Sequence, residues 1–169
     1  DGTVHAWGSD SAGQLGRDKM NYQAGGSYFK YAFRLKTENV TDVAAGQSHT
    51  LLLKTDGTVW AFGDNTYGQL GINETGVLRY NDPLQVRKAD GTALTGILSI
   101  VAGDAFSLAL DQDGRAWVWG RCGGGNVFAA VPTDYESIYQ ISAVDDTAAL
   151  LTTGGEGYRW SSVSVTAPS

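Results

Sequence analysis

The chain has 169 residues, 42% hydrophobic and 18% charged, a mix too apolar for disorder and without any apolar run near the ~20 residues that cross a bilayer. Its formal charge of −6 and pI near 4.7 repel nucleic acid and anionic lipid over the surface as a whole, so neither nucleic-acid binding nor membrane insertion is expected. One cysteine, Cys122, cannot close an internal disulfide and leaves the redox compartment open.

A short phrase recurs along the chain: D-G-T-V-H-A-W-G at 1–8, D-G-T-V-W-A-F-G at 56–63, D-G-R-A-W-V-W-G at 113–120, and a worn copy, G-E-G-Y-R-W-S, at 155–161. Gly8 and Gly63 are 55 residues apart, Gly63 and Gly120 57. A fixed period of this size means units that bury their apolar faces by stacking on neighbours. The 23 glycines against 3 prolines suit many tight turns. The chain opens inside a repeat phrase, so it is expected to be a segment of a longer protein.

In chain order, the first unit places strands at Phe33–Leu35, Val40–Gly46, His49–Leu53 and Val59–Gly63. The second places them at Pro83–Val86, Ile97–Ala102, Phe106–Leu110 and Ala116–Trp119, with the first of each set as the outer edge strand of its unit. Asp56-Gly57 and Asp113-Gly114 read as hairpin turns of type I′, which would join antiparallel neighbours. The third unit is weaker: Ala129–Val131, Ile138–Val144, Ala148–Leu151 and Tyr158–Trp160, with Val144 where Gly46 and Gly103 stand and Ser161 where the repeat has glycine. It is expected to cap the array. The organisation read is the end of a blade in 1–8, blade one in 9–63, blade two in 64–120 and a degenerate third blade in 121–169.

The strings A-A-G-Q-S-H-T-L-L-L-K-T-D-G-T-V-W-A-F-G-D-N-T-Y-G-Q-L-G at 44–71 and V-A-G-D-A-F-S-L-A-L-D-Q-D-G-R-A-W-V-W-G at 101–120 resemble the repeat of the regulator-of-chromosome-condensation family. The residues that carry the likeness are Gly46, His49, Asp56, Gly57, Trp60, Gly63, Gly68 and Gly71, then Gly103, Asp113, Gly114, Trp117, Trp119 and Gly120. The resemblance implies an all-β fold, a β-propeller of about seven four-stranded antiparallel blades around a channel. Three repeats do not close such a ring. The missing blades are expected from the parent chain or from self-association.

Residues that could carry chemistry are sparse. His5 and His49 stand on different repeats without metal-ligand spacing or a nucleophile partner. His49, inside an alternating strand, reads as a structural residue, and His5 takes the place of Trp60 and Trp117. Asp111, Asp113, Asp145 and Asp146 read as turn formers, lacking the spaced oxygen ligands of a calcium loop. Gly123-Gly124-Gly125 lacks the Lys-Ser/Thr of a phosphate loop, and Cys122 reads as a bystander. No catalytic residue, metal or cofactor is expected.

The informative departure is Arg17–Lys36, which holds five of the 12 basic residues with one acid, Asp18, and five aromatics. From Phe29 onward it alternates, with Phe29, Tyr31, Phe33 and Leu35 on one face. Arg17, Lys19, Tyr22 and Tyr28 precede that alternation and are interface candidates; Leu78, Arg79 and Tyr80 occupy the corresponding insertion of the next unit. The expected function is a non-catalytic protein-binding or scaffold propeller, held by its rim loops on a protein partner. The plain D-G-T-V-W wording resembles exported bacterial copies, which implies a secreted or cell-surface setting. The alternatives are nucleotide exchange on a small GTPase, as the family's namesake implies, and then a propeller lyase.

Overall fold

The structure, a computed structural model, describes residues 2–17 and 28–161. Among them, β1 (His5–Ser9) pairs with β2 (Tyr28–Arg34) in a first sheet. β3 (Val40–Ala45), β4 (His49–Lys54), β5 (Val59–Asp64) and β6 (Arg79–Gln85) form the second, in chain order. β7 (Ile97–Ala102), β8 (Phe106–Asp111), β9 (Ala116–Cys122) and β10 (Gly125–Pro132) form the third, and β11 (Ile138–Val144), β12 (Thr147–Thr152) and β13 (Gly157–Ser161) the fourth. Every neighbouring pair is antiparallel. The fold is all-β, a partial propeller.

The strand grouping differs from the sequence expectation in one respect. Pro83–Val86 does not open the unit that follows it. β6 pairs backwards with β5, Trp60 opposite Gln85 and Ala61 opposite Leu84, and β2 and β10 likewise close onto β1 and β9. Each sheet is completed by the strand after its aromatic-glycine phrase, so boundaries at 63 and 120 fall inside sheets. The cause is the loop after β5, which turns back and leaves the open edge of β5 as the nearest unpaired backbone.

The sheets stack face to face, and alternation on the central strands sends side chains into two different seams. Leu51 and Leu53 of β4 with Val59 and Ala61 of β5 meet Ile97, Ile100, Ala109 and Trp119 of the third sheet. Leu52 and Phe62 face the first sheet with Leu35. Phe106, Leu108, Leu110 and Val118 meet Ile138, Ile141, Ala148 and Leu150 of the fourth. Burying each such side chain contributes roughly 1.5–3 kcal/mol, so the seams hold the array together. Beyond the fourth sheet the pattern weakens: Arg159, opposite Ala149, holds the place of Ala61 and Val118.

Two recurring devices set one sheet against the next. At the hairpins, the turn is type I followed by a left-handed glycine, not I′: positive φ falls on Gly57 (75°) and Gly114 (75°) and not on Asp56 or Asp113. The Gly57 amide donates to the Lys54 carbonyl, the three-residue hairpin with a glycine bulge. The same glycines accept hydrogen bonds from the next sheet, Val40 N–H to Gly2 O, Ile97 N–H to Gly57 O and Ile138 N–H to Gly114 O.

The second device is a bulge that places two extra residues in the fourth strand opposite the aromatic-glycine phrase. The register steps from Ala6–Phe33 to Gly8–Phe29, from Ala61–Leu84 to Gly63–Tyr80, and from Val118–Val131 to Gly120–Val127. It breaks the alternation read for β2. Tyr31, expected beside Phe29 and Phe33, is instead 86% exposed, because the bulge turns it outward.

Candidate functional site

In sheets whose strands follow one another antiparallel, alternate connections lie at the same end. The loops leaving β1, β5 and β9 and the turns 46–48, 103–105 and 145–146 therefore share one rim. Two of them are built on one template. In 10–16 the Leu15 amide donates to Asp10 Oδ1 (3.0 Å) and the Ala12 amide to Gln14 Oε1 (2.9 Å). In 65–71 the Leu70 amide donates to Asn65 Oδ1 (3.2 Å) and the Tyr67 amide to Gln69 Oε1 (2.9 Å). Gly-Gln-Leu-Gly is thus a loop that folds on its own side chains and sends its leucine into the seam: Leu15 and Leu70 are buried. Its last glycine lies flat on an aromatic, where a methyl group would meet Phe62 at Gly16 or Trp119 at Gly71 within 3 Å.

The loop carbonyls are bound across the seam. Thr50 Oγ1 donates to Gln14 O (2.8 Å), and at the equivalent place Ser107 Oγ donates to Gln69 O (2.9 Å), which also accepts from Trp119 Nε1 (2.9 Å). His49 Nε2 lies 2.9 Å from the same Ser107 Oγ. Because the serine proton goes to Gln69, Nε2 carries the imidazole proton, and the buried Nδ1 has no partner. Burial lowers the His49 pKa from 6.5 to about 4, against a smaller opposing pull from Asp64. A neutral ring sealed between two sheets positions a loop and has no substrate within reach.

The interface candidates separate into groups. Arg17 lies over the Phe29 ring, 3.8 Å from its centroid, and near Phe33 at 5.2 Å. Tyr28 is 66% exposed and Leu78 62%. Arg79 reaches across to the first sheet, Nη1 donating to Ser11 O at 3.1 Å, so the structure brings the 10–16 and 65–78 connections together. Tyr80 is turned inward, half-buried against the seam with its hydroxyl on Glu74 Oε2 at 2.7 Å. Lys19 and Tyr22 lie outside the described residues. Sequence reasoning missed Tyr67, over which Arg121 stands at 5.3 Å; the signal was its place just before the second Gly-Gln-Leu-Gly. Burial pushes the Cys122 thiol up to about 12, far from a reactive thiolate. Among the described residues no three His, Cys, Asp or Glu side chains gather to hold a metal ion.

The model of the regulator of chromosome condensation (RCC1) repeat matches residues 1–53 and 56–110, and a second model of the same repeat matches 40–69 and 97–128. The chain belongs to the RCC1 repeat family. Among curated relatives, the human E3 ubiquitin-protein ligase HERC2 is 30% identical over 122 residues, 71% of this chain and 2% of that protein. The yeast guanine nucleotide exchange factor SRM1 is 34% identical over 132 residues, 72% of this chain and 24% of that protein. Among solved structures, human WBSCR16 superposes with a TM-score of 0.79 at 21% identity, covering 95% of this chain and 42% of that one. Yeast RCC1 (Prp20), solved with Kap60 bound, gives 0.74 at 24%, covering 95% and 40%. The chain therefore spans well under half of each. In RCC1 repeat terms, Gly63 and Gly120 mark where the fourth strand bulges, and Gly68 and Gly71 where the rim loop meets the next sheet.

Proposed function

We propose that this RCC1 repeat segment is non-catalytic and binds a protein partner through the rim formed by its 10–16 and 65–78 connections. The observation that carries the reading is the Arg79–Ser11 bridge, which joins loops of two sheets into one surface with Tyr28 and Leu78 exposed at its sides. Exposed aromatic and aliphatic side chains beside an arginine, on loops held by a stiff body, are the usual anchors of protein interfaces. The yeast RCC1 structure with Kap60 bound supports a protein as the class of partner. The test is crosslinking and capture from the source cells with the parent protein, against the triple variant Tyr28→Ala, Leu78→Ser, Arg79→Glu. Loss of a captured partner is expected; an unchanged partner set means the rim is not the interface.

The proposal includes a secreted or cell-surface location, supported by the repeat wording alone and tested by fractionation of the source cells. It also includes completion of the ring by blades of the parent chain or by further copies. A second reading, exchange of guanine nucleotide on a small GTPase, is favoured by the 34% identity to yeast SRM1. Accelerated release of a fluorescent GDP analogue from a small GTPase would select it.

A further inference from the structure

In the second, third and fourth sheets an aromatic near the start of the third strand needs a cover. Trp60, Trp117 and Tyr158 hold one register position, opposite Leu52, Ala109 and Leu150. At Trp117 the cover comes from the 86–96 connection, which folds back with Arg87 bridged to Ala93, buries Leu94 completely and sets Lys88 Nζ 5.4 Å from the ring centroid. At Tyr158 the cover is Tyr135 of the β10–β11 connection, the two ring centroids 4.6 Å apart. At Trp60 the β2–β3 connection, residues 35–39, is as short as the one that carries Tyr135 but holds no aromatic, and what stands over the ring is Lys54 of its own hairpin, Nζ 4.5 Å from the centroid.

What a connection without an aromatic leaves is an open dish of about 750 Å³ lined by Arg34, Lys36, Glu38, Lys54, Trp60 and Pro83. It continues into a hollow of about 270 Å³ that shares Arg34, Lys36 and Pro83 and reaches Arg17 and Asp82. Together they form a groove along the seam between the first and second sheets, beginning at the end of the strands opposite the loop rim. In the dish three cations face one carboxylate, on a chain whose net charge is −6. The Trp60 ring is set in advance: its Nε1 donates to Thr58 Oγ1 (3.0 Å), which donates to Asp56 Oδ1 (2.6 Å). A pre-oriented indole with Lys54 over it and Arg34 and Lys36 lining the same dish loses little freedom when it receives an apolar side chain flanked by carboxylates.

We propose that this groove docks an acidic, extended peptide segment of a partner protein, its carboxylates on Arg34, Lys36 and Lys54 and an apolar side chain on Trp60. Nothing in this depends on the loop rim being an interface. The test is fluorescence anisotropy of a labelled Asp/Glu-rich decapeptide with one central Phe, titrated with the full chain. Binding that falls with added salt, weakens about tenfold or more in Arg34→Glu, Lys36→Glu, and is unchanged in Tyr28→Ala, Leu78→Ser, is expected. Both cations are exposed side chains, so their reversal leaves the fold intact, which circular dichroism checks. No binding by the unsubstituted chain, undiminished binding by the Arg34/Lys36 variant, loss in the rim variant instead, or tighter binding of a single-stranded oligonucleotide than of the peptide would each overturn the proposal.

Discussion

His49 and Ser107, 58 residues apart in sequence, meet at 2.9 Å across the seam between the second and third sheets. The contact fixes the imidazole tautomer and ties its protonation to the stacking of the two blades.

In the folded chain the His49 pKa is lowered to about 4, whereas in the unfolded chain the ring titrates near ~6.5. Acidification therefore protonates the unfolded state first. Its contribution to stability is whole above pH ~6.5 and is lost as pH falls toward 4, by about 3 kcal/mol in all. Phe106 is the equivalent residue of the next blade and packs against Gly103 as His49 does against Gly46. His49→Phe is thus expected to fold and to flatten the melting temperature between pH 7 and 4. A variant that keeps the parent's slope would show that another group sets it.

Asp10 is buried, with Oδ2 unpartnered. Burial raises its pKa, against the Leu15 amide and the charges of Arg17 and Arg79. The charged form is therefore disfavoured in the fold, a cost present at neutral pH and relieved as pH falls through the raised value. Asn65 fills the same position in the next loop. Asp10→Asn should raise stability by about 1 kcal/mol at pH 7 and by less in acid, measured by denaturant unfolding.

Gly120 has φ 96°, and a methyl group there would lie 2.5 Å from the Ala105 carbonyl oxygen and 2.7 Å from the Phe106 Cα. Gly124 has φ 85° with nothing within 4 Å. Conformational strain is common to both, backbone collision to one. Gly124→Ala is expected to cost about 1 kcal/mol and Gly120→Ala about 3 or more, read from urea midpoints.

Leu70 is fully buried where the rim loop enters the seam. Leu70→Ala should destabilise by about 2–5 kcal/mol. Since the loop then loses its plug, amide exchange of 65–71 should quicken more than that of β8. Equal acceleration in both would mean that the loop and the sheet open as one unit.

Much of this fold was legible because the repeat phrase fixes local chemistry: Asp-Gly with flanking apolar runs can only be a hairpin, and the alternation of Leu51, Leu52 and Leu53 with their strand partners requires two covered faces. What escaped was settled between units. Pro83–Val86 stands midway in sequence between two sheets, and only the unpaired edge of β5 decides which it joins. Tyr31 looked inward because a period of two was assumed through a bulge. Gly71 was legible as a motif residue, but the Trp119 ring that demands it lies 48 residues away, as Phe62 lies 46 from Gly16. Of the candidate site, the types were readable and the Arg79–Ser11 bridge was not, since its acceptor is a backbone carbonyl that no side chain announces.

The glycine carbonyls at the hairpin tips, which receive the first amide of the following blade, carry a consequence for how such chains diversify. An inserted residue at a tip would dislocate the seat of its successor, and that error would pass to every later unit, while the perimeter connections answer to no such template. Natural variation in length should therefore gather at 35–39, 86–96 and 133–137, leaving Asp56-Gly57 and Asp113-Gly114 as the invariant joints of an otherwise elastic design.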